Sequence, residues 1–233
     1  MRIPLFIELK GKNILTIGGG GVGASRAKKF FDAGANVKVL SIDFNEDLKE
    51  LSQEDRVELV EGDAFDRDVL ESLIEWCDLV TVAIGNLDIN DIVEELARKH
   101  KALTNLANDA NRTEVVVPFE GDVEGIRYAV TTEGKSGVVA RKVRDEFHKI
   151  LEDDEETIYF LKAMHHLKKY MKSKEVPVQM RMKLYFVIAD DDEFRRLIRE
   201  EDVEGARRLA EKLVNEYSSG QREIDESSVR IQF

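Results

Sequence analysis

Five glycines in six positions, Gly18-Gly19-Gly20-Gly21-Val22-Gly23, follow directly on the apolar run Asn13-Ile14-Leu15-Thr16-Ile17. Gly18, Gly20 and Gly23 satisfy G-x-G-x-x-G at the exit of a predicted strand and the entrance of a predicted helix over Ala24 to Ala33. That spacing makes a tight turn whose backbone N–H groups, at the positive end of a helix, can hold a pyrophosphate; side chains there would block its approach. The implied ligand is a dinucleotide, held at Gly18, Gly20, Gly21, Val22 and Gly23. The alternative is a glycine-rich turn without a ligand.

A further group could do chemistry. Thr131-Thr132-Glu133-Gly134-Lys135-Ser136 leads into Arg141, Lys142 and Arg144. These hydroxyls and cations either bind an anionic substrate, with Arg112 as a further contributor, or serve as caps and a solvated helix face.

The elements that must position these residues are legible in the pattern. Strands are predicted at Asn13–Ile17, Asn36–Leu40, Val57–Val60, Asp78–Ala83 and Ala102–Leu106, alternating with helical stretches, as in a parallel sheet covered by helices. Ile89, Ile92, Val93, Leu96 and Ala97 mark one apolar helix face. The second strand ends Ser41-Ile42-Asp43, where Asp43 either binds an adenosine ribose or caps the next helix. No arginine comes directly after it, which favours NAD over its phosphorylated form. Beyond residue 112 the reading is extended segments at Glu114–Pro118 and Arg127–Thr131, then a helix over residues 136–151. The acidic run at 152–156 marks a boundary, and the remainder of the chain reads as helix. Asp190-Asp191-Asp192 offers N-cap chemistry, and Ala206, Leu209, Ala210, Leu213 and Val214 form a core stripe before a stop at Ser218-Ser219-Gly220. The expected division is 1–112, a Rossmann-type α/β domain; 113–151, a small α+β segment for substrate and dimerisation; and 152–233, a helical domain.

Composition excludes other classes. With 35 Lys and Arg against 47 Asp and Glu, the net charge of −12 over 233 residues disfavours nucleic acid as a partner. No apolar run suits a membrane span. The N-terminal residues lack the pattern of an export signal, and Cys77 is the single cysteine, so a reducing, cytoplasmic setting is expected. His100, His148, His165 and His166 show no metal-ligand spacing, and no permanent metal is assigned.

The sequence resembles the precorrin-2 dehydrogenases, the NAD-dependent component of siroheme synthases. The likeness begins at Pro4-Leu5-Phe6-Ile7-Glu8-Leu9-Lys10-Gly11-Lys12, continues through the glycine run and Ala33-Gly34-Ala35, and reappears at Ala129-Val130-Thr131-Thr132-Glu133-Gly134-Lys135-Ser136, close to the family's T-x-G-K-S-P, followed by Ala140-Arg141-Lys142-Val143-Arg144. It implies oxidation of precorrin-2 to sirohydrochlorin with NAD as hydride acceptor, a tetrapyrrole substrate, a homodimer, and in some members metal insertion. It also implies site roles: Asp109 and Asn108 at the chemistry; Ser41, Ile42, Asp43 and Asn86 beside the cofactor; Thr131, Thr132, Lys135, Ser136, Arg141 and Arg144 beside the substrate. Two positions depart from the family pattern. Asn108 stands where the family has an aspartate, with Asp109 next to it, and Ile84 stands where the family more often has threonine. A different class also fits part of the chain: Glu61-Gly62-Asp63-Ala64-Phe65-Asp66-Arg67-Asp68-Val69-Leu70 resembles the G-D-A-x-D-x-x-x-L stretch of the nucleotide-sensing domains attached to potassium transporters.

Overall fold

The computed structural model describes residues 2–224. These form two compact units, the first made of the chain up to residue 119 with residues 129–142, the second of residues 120–128 with the chain from 143 onward. Residues 113–151 are divided between them.

The first unit contains β1 (Asn13–Ile17), α1 (Gly21–Asp32), β2 (Asn36–Ser41), α2 (Glu46–Leu51), β3 (Val57–Glu61), α3 (Arg67–Trp76), β4 (Leu79–Val82), α4 (Ile89–His100) and β5 (Leu103–Leu106). The strands form one parallel sheet in the order β3-β2-β1-β4-β5. Register pairs Ile17 with Leu40 on one side and with Val82 on the other. Both faces are covered, which is why these strands are nearly continuous apolar runs. Leu15, Ile17, Val80 and Val82 pack with α3 and α4, while Ile14, Val37, Val39 and Leu79 pack with α1 and α2. The Rossmann-type parallel architecture expected from the alternation is what folds.

Helix α1 begins at Gly21, earlier than the expected Ala24, because Gly20 is its N-cap and Gly21 and Gly23 lie in its first turn. Glycine has poor helix propensity, so a helix whose opening turn is mostly glycine is recognised late. The extended segment expected at Glu114–Pro118 is not a strand, and β6 is Phe119–Val123 instead. The backbone N–H groups of Glu114 and Val115 donate to Thr104 O at 3.2 and 2.8 Å, and Val115 and Val117 pack beside α1. Their β-branched side chains serve as a plug over the sheet, so residues that look like a strand by type are used for burial. Strand β7 (Ile126–Val130) pairs with β6 through a turn in which Glu124 and Gly125 have φ of 50° and 91°. Two successive left-handed residues are what a tight hairpin turn requires.

Helix α5 spans Gly137–Glu152 and runs from the first unit into the second. The second unit continues with α6 (Glu155–Ser173), α7 (Val178–Ala189), α8 (Asp192–Arg199) and α9 (Val203–Ser218). Asp191 caps α8, accepting from the N–H groups of Glu193 and Phe194, as the triple-aspartate motif suggests. The core joins Leu167, Met171, Leu184, Ile188, Phe194, Ala206, Ala210 and Leu213. The acidic run at 152–156 interrupts the helices at Asp153-Asp154, where the Asp154 carboxylate caps α6 by accepting from Thr157 N.

Candidate functional site

In an open parallel sheet, ligands bind beyond the carboxyl ends of the strands where the strand order reverses. Here the chain leaves β1 to build β2 and β3 on one side and returns to build β4 and β5 on the other. The reversal falls between β1 and β4, and the glycine loop occupies it.

The glycines divide into two kinds. Gly18 has φ of +119°, and a Cβ there would lie 2.8 Å from Ala83 O. At Gly19 a Cβ would stand 1.8 Å from Asp43 O, and at Gly23 it would stand 1.9 Å from Gly18 O. The loop is pinned by hydrogen bonds from Gly18 N to Leu40 O, Gly19 N to Ser41 Oγ and Asn45 N to Gly19 O. At Gly20 and Gly21 the added carbon would meet nothing within 4 Å. Three glycines are therefore demanded by the protein's own packing, while two border open space at the start of α1. That helix has no side-chain cap and no acidic residue in its first turn, so its leading N–H groups and positive end stay available. The cradle fits a dinucleotide pyrophosphate on steric and electrostatic grounds. Gly19, which the motif treats as a free position, is as constrained as the glycines the motif names.

On the β2 side, Ser41 is committed to Gly19 N, Ile42 is 72% exposed, and Asp43 presents an exposed carboxylate. Asp43 is not the helix cap, because Asn45 takes that position and accepts from Leu48 N at 3.0 Å. The capping alternative for Asp43 is therefore excluded. The acidic stretch at Glu61 to Asp66 performs turn and cap work: Asp63 Oδ1 accepts from Phe65 N, and Asp66 caps α3.

On the β4 side, Asn86 Oδ1 accepts from Asp88 N and so shapes the turn into α4. The Asn108 amide donates to Ile84 O at 2.9 Å and to Asn90 Oδ1 at 3.2 Å, and its oxygen accepts from Asn90 Nδ2 at 3.1 Å. Asn90 is completely buried on α4. Asn108 thereby ties the loop after β5 to α4 and to the loop after β4, and this needs an amide at position 108. Asn108→Asp would remove the donor and set a carboxylate against two oxygens. We expect a loss of about 1–3 kcal/mol in urea unfolding, with Asn90→Asp costing as much. Unchanged stability in both variants would show that the amide pair does not hold the loop.

Asp109 Oδ1 accepts from Asn111 N at 3.0 Å and Arg112 N at 3.4 Å. This is the turn role; its other carboxylate oxygen has no hydrogen bond among the described residues. The Thr131–Ser136 turn is brought against this segment. Gly134, at φ of +85°, sits so close to Ala110 that a Cβ would stand 2.1 Å from the alanine Cβ. Arg2, which sequence reasoning missed, fastens the group by donating to Ala110 O at 2.8 Å and Thr113 O at 2.7 Å and pairing with Glu133 at 3.6 Å. No local motif marks an arginine at the second residue.

Several candidate substrate groups are occupied by the protein itself. Ser136 Oγ accepts from Val139 N as a cap on α5, Thr132 Oγ1 accepts from Ser136 N, and Thr131 Oγ1 accepts from Glu133 N. Arg112 is held by Glu94 and Asp91, whose hydrogen bonds to the guanidinium keep its pKa above the usual arginine value. Arg144 belongs to the second unit, donating to Asp145 Oδ1 at 2.7 Å and Glu120 O at 2.9 Å. Lys135 and Arg141 are exposed and carry no ion pair among the described residues. Burial pushes the Cys77 thiol up to about 12, which makes it a packing residue rather than a nucleophile. Among the described residues no group of three or more His, Cys, Asp and Glu is placed to hold a metal ion, and no helix is long and apolar enough to cross a membrane.

With this geometry in hand, comparison with known proteins is specific. Residues 5–119 match the model of a family provisionally described as NAD(P)-binding. A Methanocaldococcus jannaschii protein, provisionally named a precorrin-2 dehydrogenase, is 24% identical over 196 residues, covering 83% of this chain and 92% of that one. Siroheme synthase 2 of Yersinia enterocolitica is 30% identical over 148 residues, 64% of this chain and 30% of its own. Siroheme synthase 2 of Klebsiella pneumoniae is 29% identical over 150 residues, 64% of this chain and 32% of its own. The chain thus spans about a third of the length of those siroheme synthases. The solved structure of SirC, precorrin-2 dehydrogenase, superposes with a TM-score of 0.66 over 93% of this chain and all of that one, at 18% identity, which shows a common fold. Residues 5–119 thus match an NAD(P)-binding family, and from the glycine cradle to the helical second unit the chain is similar to precorrin-2 dehydrogenases and to the matching parts of siroheme synthases.

Proposed function

We propose that this chain oxidises precorrin-2 to sirohydrochlorin with NAD as the acceptor. The observation that carries the reading is the packing of the Thr131–Ser136 turn onto Ala110, which joins the most family-specific segment of the sequence to the loop after β5, beside the dinucleotide cradle. The named relatives that match across this region support the same reading.

Precorrin-2 gives up a hydride and a proton, two electrons in all. NAD supplies the hydride acceptor. Gly20, Gly21 and the N–H groups of Val22 and Gly23 would hold its pyrophosphate, and Asp43 its adenosine ribose, with Ile42 against the adenine. On the β4 side the Asn108 amide pair fixes the Ile84–Asn86 backbone that borders the nicotinamide half. Asp109 is the residue we assign to the proton: its turn orients the carboxylate through Oδ1 and leaves Oδ2 to accept. Lys135 and Arg141 supply unneutralised positive charge for a substrate rich in carboxylates. Thr131, Thr132, Ser136 and Arg144 act at one remove, by shaping the turn and α5. Purified chain mixed anaerobically with NAD and precorrin-2 should generate NADH and sirohydrochlorin together. Intact NAD binding without that conversion would overturn the reading and return the glycine cradle to a sensing role.

We also propose that the protein works as a homodimer in the cytoplasm. Helix α5 buries only Ala140, while Val138 is 81% and Ile150 61% exposed, with Val139 and Phe147 also open. A second copy would cover these side chains. Val138→Glu combined with Ile150→Glu should convert a dimer to a monomer in light scattering at equal protein concentration. A dimer that persists in the double variant would place the interface elsewhere. The lone buried Cys77 suits a reducing compartment.

A further inference from the structure

Arg26 is a half-buried cation on α1 without a counter-charge among the described residues. Its Nε is shielded from solvent and makes no hydrogen bond. The other half-buried arginine of the first unit, Arg2, is fully engaged with carbonyls and Glu133. Lys135 and Arg141 also lack partners among the described residues, but water solvates them. Desolvation lowers the Arg26 pKa below its ordinary value. A guanidinium partly withdrawn from water, with its shielded Nε unpaired, costs stability, and such a cost persists where a ligand repays it.

Its position indicates which ligand. Val22, Arg26 and Lys29 keep helical spacing along one flank of α1, beside the buried stripe of Gly23, Ala27 and Phe30. Lys29 Nζ donates to Pro118 O at 2.9 Å, and Val115 N donates to Thr104 O on β5. The flank therefore faces the β4–β5 half of the sheet, opposite the half where Asp43 comes after β2. Helical side chains lean toward the helix N-terminus, so an arginine at position 26 can reach back toward Val22 at the edge of the glycine cradle. A dinucleotide crossing the switch point with its adenosine ribose at Asp43 has its nicotinamide on the Arg26 side.

We propose that Arg26 binds a carboxylate of the substrate and holds the macrocycle beside the nicotinamide. The inference rests on the tetrapyrrole reading. It names a half-buried anchor where Arg112 and Arg144, both suggested by the sequence, are already spent on internal contacts.

Arg26→Met keeps an unbranched stem and removes the charge. Three results are expected: the melting temperature rises; KM for precorrin-2 increases about ten- to a hundredfold; kcat and the NAD dissociation constant from calorimetry stay within about twofold. Arg26→Lys should recover part of the KM. A lowered melting temperature, an unchanged KM, or a weakened NAD affinity would each overturn the assignment, the last by giving Arg26 to the cofactor phosphates. If the unmodified protein turns over precorrin-2 and Arg26→Met does so with the same KM, this inference alone fails. If the unmodified protein does not turn it over, both fall.

Discussion

Replacing Gly20 with Asp should abolish NAD binding while leaving the fold intact. A Cβ at Gly20 meets no protein atom within 4 Å, so the new side chain enters only the space beyond the helix end. That is where the pyrophosphate would lie, and the carboxylate adds like-charge repulsion to the lost volume. We expect affinity to fall more than about a hundredfold, equivalent to about 2.7 kcal/mol, with an unchanged melting temperature. Gly19→Ala and Gly23→Ala provide the contrast. Their added carbons would collide with backbone oxygens at 1.8 and 1.9 Å, so both should unfold at lower denaturant before any question of ligand arises. Calorimetry with NAD and urea melts on the three variants check this. Retained affinity in Gly20→Asp would remove the pyrophosphate from this loop.

The second large effect is expected at Asp109. Asparagine keeps an oxygen for the N–H groups of Asn111 and Arg112, so Asp109→Asn preserves the turn and removes only the capacity to take a proton. If Asp109 is the acceptor, kcat falls by about a hundredfold or more, with NAD affinity and stability near those of the unmodified protein. A kcat within about threefold would assign the residue to the turn alone, as its Oδ1 contacts already do. The amide at 108 makes this variant informative, since Asn108 cannot substitute as a base and is locked by Asn90.

The glycine loop, the parallel strands and the family resemblance were legible in residue types because they depend on local spacing: glycines after a strand, β-branched runs between helices, a short turn before a basic helix. What the sequence left open depends on contacts between distant residues. Asn90 reads as an ordinary polar residue on an amphipathic helix until the fold sets it against Asn108. Arg2 has no motif, and its carbonyl partners lie more than a hundred residues away. Asp43 and Asn45 compete for one cap, and two residues of register decide which of the two side chains takes it. Val115 and Val117 look like a strand because strands and core plugs favour the same side chains. Arg112 looks available because its carboxylates come from α4, and Arg144 because the carbonyl that helps to hold it comes from β6.

The most direct measurement of the central claim tracks hydrogen. Precorrin-2 carrying deuterium on its carbon framework, incubated anaerobically with the protein and NAD, should deliver deuterium to the reduced nicotinamide as sirohydrochlorin forms, with both rates lost in Gly20→Asp. Sirohydrochlorin forming equally fast without NAD, or NADH without the label, would contradict hydride transfer at this cradle.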